Sequence, residues 1–320
     1  MRWSDKQLLR MERRIRAIYK EAQGGIEIEW DKYMSNASKR LQRLQNAYDR
    51  ALKTGVGVEQ AKTALETAQR NITFQDNRYR VMVDNTTSRI ASANEQALAY
   101  LNGEIANIYR YHFNEIGEEA VKLGINFTGY DENTVQRLIK QGKIQLPKKK
   151  ISIPKDKRWN TRQLNSSVLQ GILQGESMDK IAKRIFPIVD YNVEAAIRNA
   201  RTMVTGAENA GRLDSYKELE DEGVVQKKVW IATPDSRTRK SHLALDGKEI
   251  DINDEFLKGL EYPGDPNGEP EEVYNCRCSM RTHIIGFKRK DGSISYVNHG
   301  RDRGIHQEQI EEEKERRKNE

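Results

Sequence analysis

Two cysteines and two histidines near the C-terminal end of the chain have side chains that can bind a metal or react with a substrate. Cys276 and Cys278 are one residue apart, and His242 and His283 lie before and after them. Imidazole nitrogen and thiolate sulfur are the donors that zinc prefers in proteins, so these four residues are candidate zinc ligands. The other chemistry open to them is covalent catalysis, with a cysteine as nucleophile and His242 as its base.

A third interpretation of these residues is structural, and the sequence pattern favours it. The Cys-x-Cys spacing differs from the Cys-x-x-Cys of common zinc knuckles, and no nearby residues form a recognisable nucleophile elbow or oxyanion loop. Small cysteines pack inside a sheet as weak hydrophobes. In this interpretation Asp235 and Arg237 bond to each other or to nearby backbone, and Asp246-Gly247 forms a tight turn.

The elements that must position these residues are short strands and turns. Residues 224–232 are β-branched and apolar, which predicts a strand. Residues 237–245 predict a short helix, and residues 273–284 alternate between polar and apolar like a second strand. A hairpin is expected around Asp291-Gly292.

The N-terminal part of the chain has the periodicity of long helices. Gly24-Gly25 predicts the end of a first helix that starts near residue 5. The clearest apolar stripe recurs at spacings of 3 and 4, and it consists of Leu98, Leu101, Ile105, Ile108 and His112. Such a narrow stripe packs against a partner helix, so His112 is interpreted as an interface histidine.

These patterns predict a mainly α protein. An N-terminal long-helix bundle or coiled-coil-like arm is followed by a small C-terminal α+β domain with a short antiparallel sheet. The expected division is a helical N-terminal domain at 1–143, a basic linker at 144–159, a helical lead-in at 160–222, an α+β module at 223–298 and a charged tail at 299–320.

Charge and composition limit the classes of function. The chain has 320 residues, with 55 Lys and Arg against 48 Asp and Glu, and a net charge of +7 at pH 7. This surplus fits contact with nucleic acid or an acidic partner, and it fits a solvated helical protein equally well. No apolar run approaches the roughly 20 residues of a membrane-spanning helix, and no signal-peptide pattern opens the chain. We therefore expect a soluble protein that folds in a reducing cytoplasm.

Basic residues cluster in the predicted linker, around Pro147 and Pro154 and before Trp159. Two prolines predict an extended, exposed segment, and its charges suit DNA phosphates without reading sequence. A solvated connector is the commoner role of a basic run, and it is the favoured alternative. The candidate DNA-contacting residues are Lys148, Lys149, Lys150, Lys155, Lys157 and Arg158.

Several short motifs of the C-terminal part follow one another in a distinctive order. A strand with a Trp near its end precedes Asp-x-Arg-Thr-x-x-x-His, Leu-Asp-Gly, an acidic loop with Pro and Gly, and Asn-Cys-Arg-Cys. This order resembles the Mu F-like family of phage minor head proteins over residues 156–284. The residues that carry the resemblance are Arg201, Trp230, Asp235, Arg237, Thr238, His242, Asp246, Gly247, Asn275, Cys276, Arg277 and Cys278.

The resemblance implies a structural virion protein rather than an enzyme. Proteins of this family sit inside the phage head, associate with the portal, and take part in head morphogenesis and in DNA packaging or delivery. Implied partners are the portal protein, a capsid or scaffolding protein, and double-stranded DNA bound non-specifically, with no membrane. The implied location is the virion, and the host cytoplasm during assembly.

The resemblance implies no catalytic residue and no cofactor. Some relatives carry Cys where this chain has His242, which keeps zinc as a candidate ion. The alternative function is therefore a metal-dependent enzyme or toxin-like domain built on His242, Cys276 and Cys278.

Overall fold

The computed structural model describes residues 3–71, 77–144, 146, 156–174, 176 and 178–297. Its helices are α1 (Trp3–Thr54), α2 (Val58–Asn71), α3 (Asn77–Lys122), α4 (Glu132–Lys140), α5 (Lys157–Leu173), α6 (Met178–Lys183), α7 (Phe186–Asp221), α8 (Lys240–Ala244) and α9 (Pro270–Val273). Its strands are β1 (Val224–Ile231), β2 (Glu249–Asp251), β3 (Ser279–Lys288) and β4 (Ile294–Tyr296). The predicted fold class, long N-terminal helices and a small C-terminal antiparallel sheet, is confirmed.

Two parts of the sequence prediction fall outside these described residues. They are the charged tail at 299–320 and the linker lysines Lys148, Lys149, Lys150 and Lys155. Among the helices that the structure describes, none combines the length and apolar character needed to span a bilayer.

Residue contacts divide the chain into two compact units. Unit 1 comprises Met1–Met11, Tyr100–Ile151 and Arg198–Glu320, and unit 2 comprises Glu12–Ala99 and Ser152–Ile197. Each unit thus gathers segments that are far apart in the sequence. The linear five-part division expected from the sequence stays a prediction.

Helix α1 continues through Gly24-Gly25, so the helix end predicted there is wrong. Ile26 and Trp30, on the following turns, are buried, and the Trp30 indole N–H donates to Thr86 Oγ1 of α3 at 2.9 Å. Each glycine costs a helix only about 1 kcal/mol, and burial of an apolar face outweighs that cost.

Most of the apolar stripe predicted on α3 is buried, and Leu98 at its N-terminal end is half-buried. Leu101, Ile105 and Ile108 are each no more than 2% exposed. His112 is equally buried, and its Nδ1 lies 3.0 Å from Glu115 Oε2. The prediction of a buried interface histidine at this position is therefore confirmed.

The sheet has the strand order β2-β1-β3-β4, and every neighbouring pair is antiparallel. In the central pair, Trp230 of β1 lies opposite Met280 of β3. The predicted hairpin is confirmed between β3 and β4, where Asp291 Oδ1 accepts a hydrogen bond from the Ser293 backbone N–H at 2.9 Å. The predicted strand at 224–232 agrees with β1 within one residue.

The second predicted strand, at 273–284, is wrong in its first half. Pro270 opens the short helix α9, which ends at Val273, and β3 begins only at Ser279. Asn275 has a φ of 58°, a left-handed conformation that no extended strand contains. Cys276 and Cys278 therefore lie in a connection that leads into the sheet, and not on one face of a strand.

Candidate metal centre

His242 lies on the short helix α8 and points into the core beneath the sheet. Its Nδ1 is 3.6 Å from Cys276 Sγ and 3.5 Å from Cys278 Sγ. The three side chains are buried, with residue exposures of 1%, 2% and 3% in the same order. We call this group the His-Cys-Cys cluster. In the part of the chain that the structure describes, it is the group of His, Cys and carboxylate side chains arranged closely enough to hold a metal ion.

The other imidazole nitrogen of His242 faces a carboxylate. Its Nε2 is 2.8 Å from Glu272 Oε2, and the same oxygen accepts a hydrogen bond from Ser241 Oγ at 2.8 Å. The contact is an ion-pair distance, and Nε2 makes no aligned hydrogen bond in this arrangement. With the proton on Nε2, the lone pair of Nδ1 is directed at the two sulfur atoms.

The connection that carries the two cysteines is held through its backbone carbonyls. Thr205 Oγ1, on α7, donates to the Cys276 carbonyl at 2.8 Å. The Asn209 amide, one turn later, donates to the Cys278 carbonyl at 3.3 Å, and Thr233 Oγ1 donates to the Arg277 carbonyl at 2.7 Å. With three consecutive carbonyls bonded, the backbone fixes the direction in which both thiols point.

Burial and the contact between the two sulfur atoms shift the pKa values of the two thiols in opposite directions. The pKa of Cys276 is raised well above its usual value by its contact with the Cys278 sulfur and by desolvation. The pKa of Cys278 is lowered well below its usual value, because it accepts from Cys276 and lies beside His242. The two sulfurs share one proton more readily than they lose or keep both.

Asp235 and Arg277, both singled out by the sequence, form an ion pair across the cluster. Arg277 Nη2 is 2.6 Å from Asp235 Oδ1, and Nη1 contacts the second carboxylate oxygen. Arg237 contributes mainly its backbone N–H, which donates to Asp235 Oδ1 at 3.0 Å. Thr238 Oγ1 donates to the Thr233 carbonyl at 2.6 Å. The expectation that Asp235 bonds Arg237 and nearby backbone is met, but its principal partner is Arg277.

The predicted Asp246-Gly247 turn anchors β1. The Gly247 N–H donates to the Trp230 carbonyl at 2.9 Å, and Asp246 Oδ1 accepts from the Ala232 N–H at 2.9 Å. Gly247 has a φ of 73°, which suits glycine. Trp230 packs edge-on against the imidazole of His242, with ring centroids 5.0 Å apart. The turn and the tryptophan together close one side of the cluster.

Arg201 and Asn275 contact each other where α7 meets the cysteine connection. Arg201 Nη1 donates to Asn275 Oδ1 at 3.1 Å. The Asn275 N–H donates to Thr202 Oγ1 at 2.8 Å, which supports the left-handed backbone at this residue. Both residues thus help to position the Cys-x-Cys segment.

Three other predicted site residues lie elsewhere. His283 points away from the cluster, and its Nδ1 is 3.0 Å from Glu249 Oε1 on β2, which β1 separates from β3, so it is not a fourth ligand. Lys157 and Arg158 belong to the first turn of α5 in unit 2, and the Lys157 ammonium is 2.6 Å from Asp84 Oδ1. These two bases are part of a helix and not of an extended arm.

Sequence reasoning missed three residues that matter to the cluster: Thr205, Asn209 and Glu272. Thr205 and Asn209 lie four residues apart on α7, a spacing that places both on one helix face. Glu272 lies in a run of acidic residues that is indistinguishable from a solvated loop. Only its distance to His242 reveals its role.

Comparison with known proteins agrees with the order of the motifs. Residues 162–281 match the family described as Phage Mu protein F like protein. These matched residues, and not the whole chain, are similar to that family. The Mu F-like segment includes all of α7, the strand β1 and the complete His-Cys-Cys cluster.

Two curated proteins are similar to this chain. The minor head protein GP7 of Bacillus phage SPP1 is 25% identical over 293 residues, which cover 85% of this chain and 90% of the relative. The NAD(+)–arginine ADP-ribosyltransferase EFV of Enterococcus faecalis is 32% identical over 133 residues, which cover 40% of this chain. The chain spans only 27% of the length of that transferase. No solved structure matches the chain.

Proposed function

We propose that this chain is a minor head protein of a tailed phage or prophage, a structural component on the inside of the head. The observation that carries the proposal is the likeness to the minor head protein of phage SPP1 over 85% of this chain and 90% of that relative. A match over 293 residues extends well beyond the Mu F-like segment at 162–281. In this role the chain assists head morphogenesis and DNA packaging or delivery, and it is present in the host cytoplasm during assembly.

The partner that we propose is the portal protein, together with a capsid or scaffolding protein. The test is co-expression of the full chain with the portal protein of the same phage, followed by purification through a tag on the portal. We expect co-purification in a fixed ratio that survives 0.5 M salt. A tagged major capsid protein, expressed in the same way, measures the background. Equal recovery on both baits, or none on the portal, would contradict a portal-associated role.

We further propose that the chain contacts packaged double-stranded DNA without sequence preference. The net charge of +7 supports this contact. The basic residues of the linker are most closely spaced at Lys148, Lys149 and Lys150, which are consecutive. Affinity for a fluorescent duplex should fall steeply as salt rises from 50 to 200 mM. Replacing all three lysines by alanine should lower the logarithmic salt slope by about one unit for each phosphate that the chain no longer neutralises.

Lys157 offers the matched control for the DNA experiment. Its ammonium is 2.6 Å from Asp84, so its charge is already compensated within the fold. Lys157→Ala should therefore change the salt slope less than one lysine of the 148–150 group does. A wild-type chain that leaves the duplex unretarded at 50 mM salt refutes DNA contact and leaves the portal experiment untouched.

The alternative function, a metal-dependent enzyme or toxin-like domain, is supported by the likeness to the ADP-ribosyltransferase. The aligned stretch covers 27% of that enzyme. This part is too short to support the same activity in this chain. The His-Cys-Cys cluster is also at most 3% exposed, which leaves a substrate little surface to reach. Incubation with NAD(+) and an arginine acceptor should release no nicotinamide. Turnover that disappears with Cys278→Ser would favour the enzyme instead.

A further inference from the structure

The Mu F-like segment brings together donors that the portal and DNA roles do not use. We propose that His242, Cys276 and Cys278 bind one zinc ion, and that Glu272 positions His242 for it. The ligand atoms are Nδ1 of the histidine and Sγ of the two cysteines. The ion would join α8 to the connection between α9 and β3.

The distances in the cluster suit a tetrahedral ion. Zinc bonds sulfur at about 2.3 Å and imidazole nitrogen at about 2.0–2.1 Å, so a tetrahedral angle separates the two donors by about 3.6 Å. His242 Nδ1 lies 3.6 Å from one sulfur and 3.5 Å from the other. All three ligand atoms lie within 4.8 Å of one another. The two nitrogen–sulfur distances therefore already match those of a tetrahedral zinc site.

Glu272 supplies the outer support that histidine ligands of zinc ordinarily have. A ligating imidazole donates its second N–H to a carboxylate or carbonyl, which fixes the tautomer and the ring orientation. Glu272 Oε2 lies within reach of such a bond, 2.8 Å from Nε2 on the side of His242 that faces away from the thiols, although the two atoms are not aligned for it here. Ser241 in turn holds the same carboxylate oxygen at 2.8 Å.

Hydrogen bonds and an ion pair around the two thiols hold the cysteine segment in place for a metal ion. Three successive backbone carbonyls, of Cys276, Arg277 and Cys278, accept hydrogen bonds from side chains of α7 and of the segment after β1. Arg277 itself, between the two cysteines, is paired with Asp235. Two thiolates and one neutral imidazole give zinc a neutral first shell, which suits a site this deeply buried. A water molecule would complete the fourth position.

The alternative is a metal-free cluster in which thiol and imidazole bond directly. A sulfur–nitrogen distance of 3.5 Å also suits that bond, so metal content has to decide. The full chain is purified under reducing conditions without chelator, and its zinc is measured by inductively coupled plasma mass spectrometry. We expect close to one zinc ion per chain in the wild type. His283→Ala is the matched control, because its imidazole pairs with Glu249 outside the cluster and should leave the zinc in place.

A cysteine variant that fails to fold also lacks zinc, so a second readout uses the wild-type chain alone. Zinc is removed with a chelator and replaced by cobalt(II), and the absorption spectrum is recorded. Thiolate ligation should give intense near-ultraviolet charge-transfer bands, and metal removal should lower the melting temperature until zinc is restored. Glu272→Gln should keep the stoichiometry and weaken zinc affinity by about 10- to 100-fold.

The result that overturns the proposal is equally specific. A folded wild-type chain that is purified without metal, takes up neither zinc nor cobalt, and melts at the same temperature with and without chelator has no such site. Loss of zinc in His283→Ala to the same extent as in His242→Ala would place the ion elsewhere. Neither outcome depends on whether the chain associates with a portal or with DNA.

Discussion

Arg277 binds both carboxylate oxygens of Asp235. This ion pair links two segments of the Mu F-like motif that lie 42 residues apart in the sequence. The arginine and aspartate side chains are 19% and 31% exposed. The hydrogen bonds from Arg277 hold the pKa of Asp235 well below its usual range, so the pair is ionised at every physiological pH. A bidentate ion pair fixes the relative orientation of the two side chains as well as their distance.

The first prediction concerns this ion pair. Arg277→Ala should destabilise the chain by about 2–3 kcal/mol, because it leaves a partly buried carboxylate without its main partner. Arg237→Ala is the matched control, since that side chain is 76% exposed and lies 3.5 Å from the same carboxylate. It should cost no more than about 0.5 kcal/mol. Urea denaturation followed by circular dichroism measures both, and equal costs would contradict the distinct roles of the two arginines.

The second prediction concerns the close approach of α7 to α3 in unit 1. A Cβ at Gly211 would overlap the carbonyl oxygen of Tyr109 and lie 3.2 Å from the backbone nitrogen of Phe113. Gly211→Ala should therefore destabilise the chain by about 2 kcal/mol or more, as overpacking against backbone does. Gly103→Ala, where a Cβ meets nothing within 4 Å, should stabilise α3 by about 0.5–1 kcal/mol. Thermal melts of the two variants should move in opposite directions, and a shift of the same sign would refute the packing argument.

The third prediction concerns Asn209, a buried residue that serves several backbone groups at once. Its amide donates to the carbonyls of Pro263 and Cys278, and its Oδ1 accepts from the Met280 N–H at 3.1 Å. Asn209→Ala should cost about 2–4 kcal/mol, since each buried group left unpaired costs about 1–3 kcal/mol.

Gln42→Ala is the control for Asn209, because Gln42 makes an exposed bond to Asn46 on the same helix. It should change the free energy of unfolding by no more than about 0.5 kcal/mol. Hydrogen exchange provides an independent readout, with faster exchange of the Met280 amide expected in Asn209→Ala. Unchanged exchange of that amide would be evidence against the bond.

The fourth prediction concerns Lys228, whose side chain is fully buried in β1 with its ammonium 5.6 Å from the centre of the Phe256 ring. Burial lowers the pKa of Lys228 from 10.5 to about 8. Below about pH 8 the folded chain therefore carries a charge that desolvation disfavours. Lys228→Met should raise the stability at pH 7 by about 1 kcal/mol or more.

The sign of the pH dependence follows from the lowered pKa. As pH rises from about 8 towards 10.5, the folded chain loses the proton before the unfolded chain does, and the penalty on the wild type declines. The advantage of Lys228→Met should thus be larger at pH 7 than at pH 10. Lys227→Met, whose ammonium is 3.8 Å from Asp251 and 40% exposed, should show no such trend. An advantage that grows with pH would contradict the assignment.

Much of the fold was predictable because it depends on local patterns. The stripe on α3 repeats every three or four residues, β1 is a run of β-branched residues, and Asp291-Gly292 is a turn sequence. Errors arose where long-range packing opposes a local signal. Gly24-Gly25 is a helix breaker in isolation, yet buried neighbours such as Trp30 keep α1 continuous. The alternation before Ser279 ends in a left-handed Asn275 that periodicity does not reveal.

The sequence by itself determined which residue types were available for a site: two cysteines one residue apart, two histidines, and an ordered set of motifs that resembles the Mu F-like family. It did not determine which histidine meets the cysteines, because that choice depends on which face of the sheet each residue reaches. Only the tertiary structure selected His242 over His283, since α8 packs beneath the sheet while β3 turns His283 towards Glu249. It also brought in Glu272, Thr205 and Asn209, whose roles arise from distances between segments that no spacing along the chain encodes.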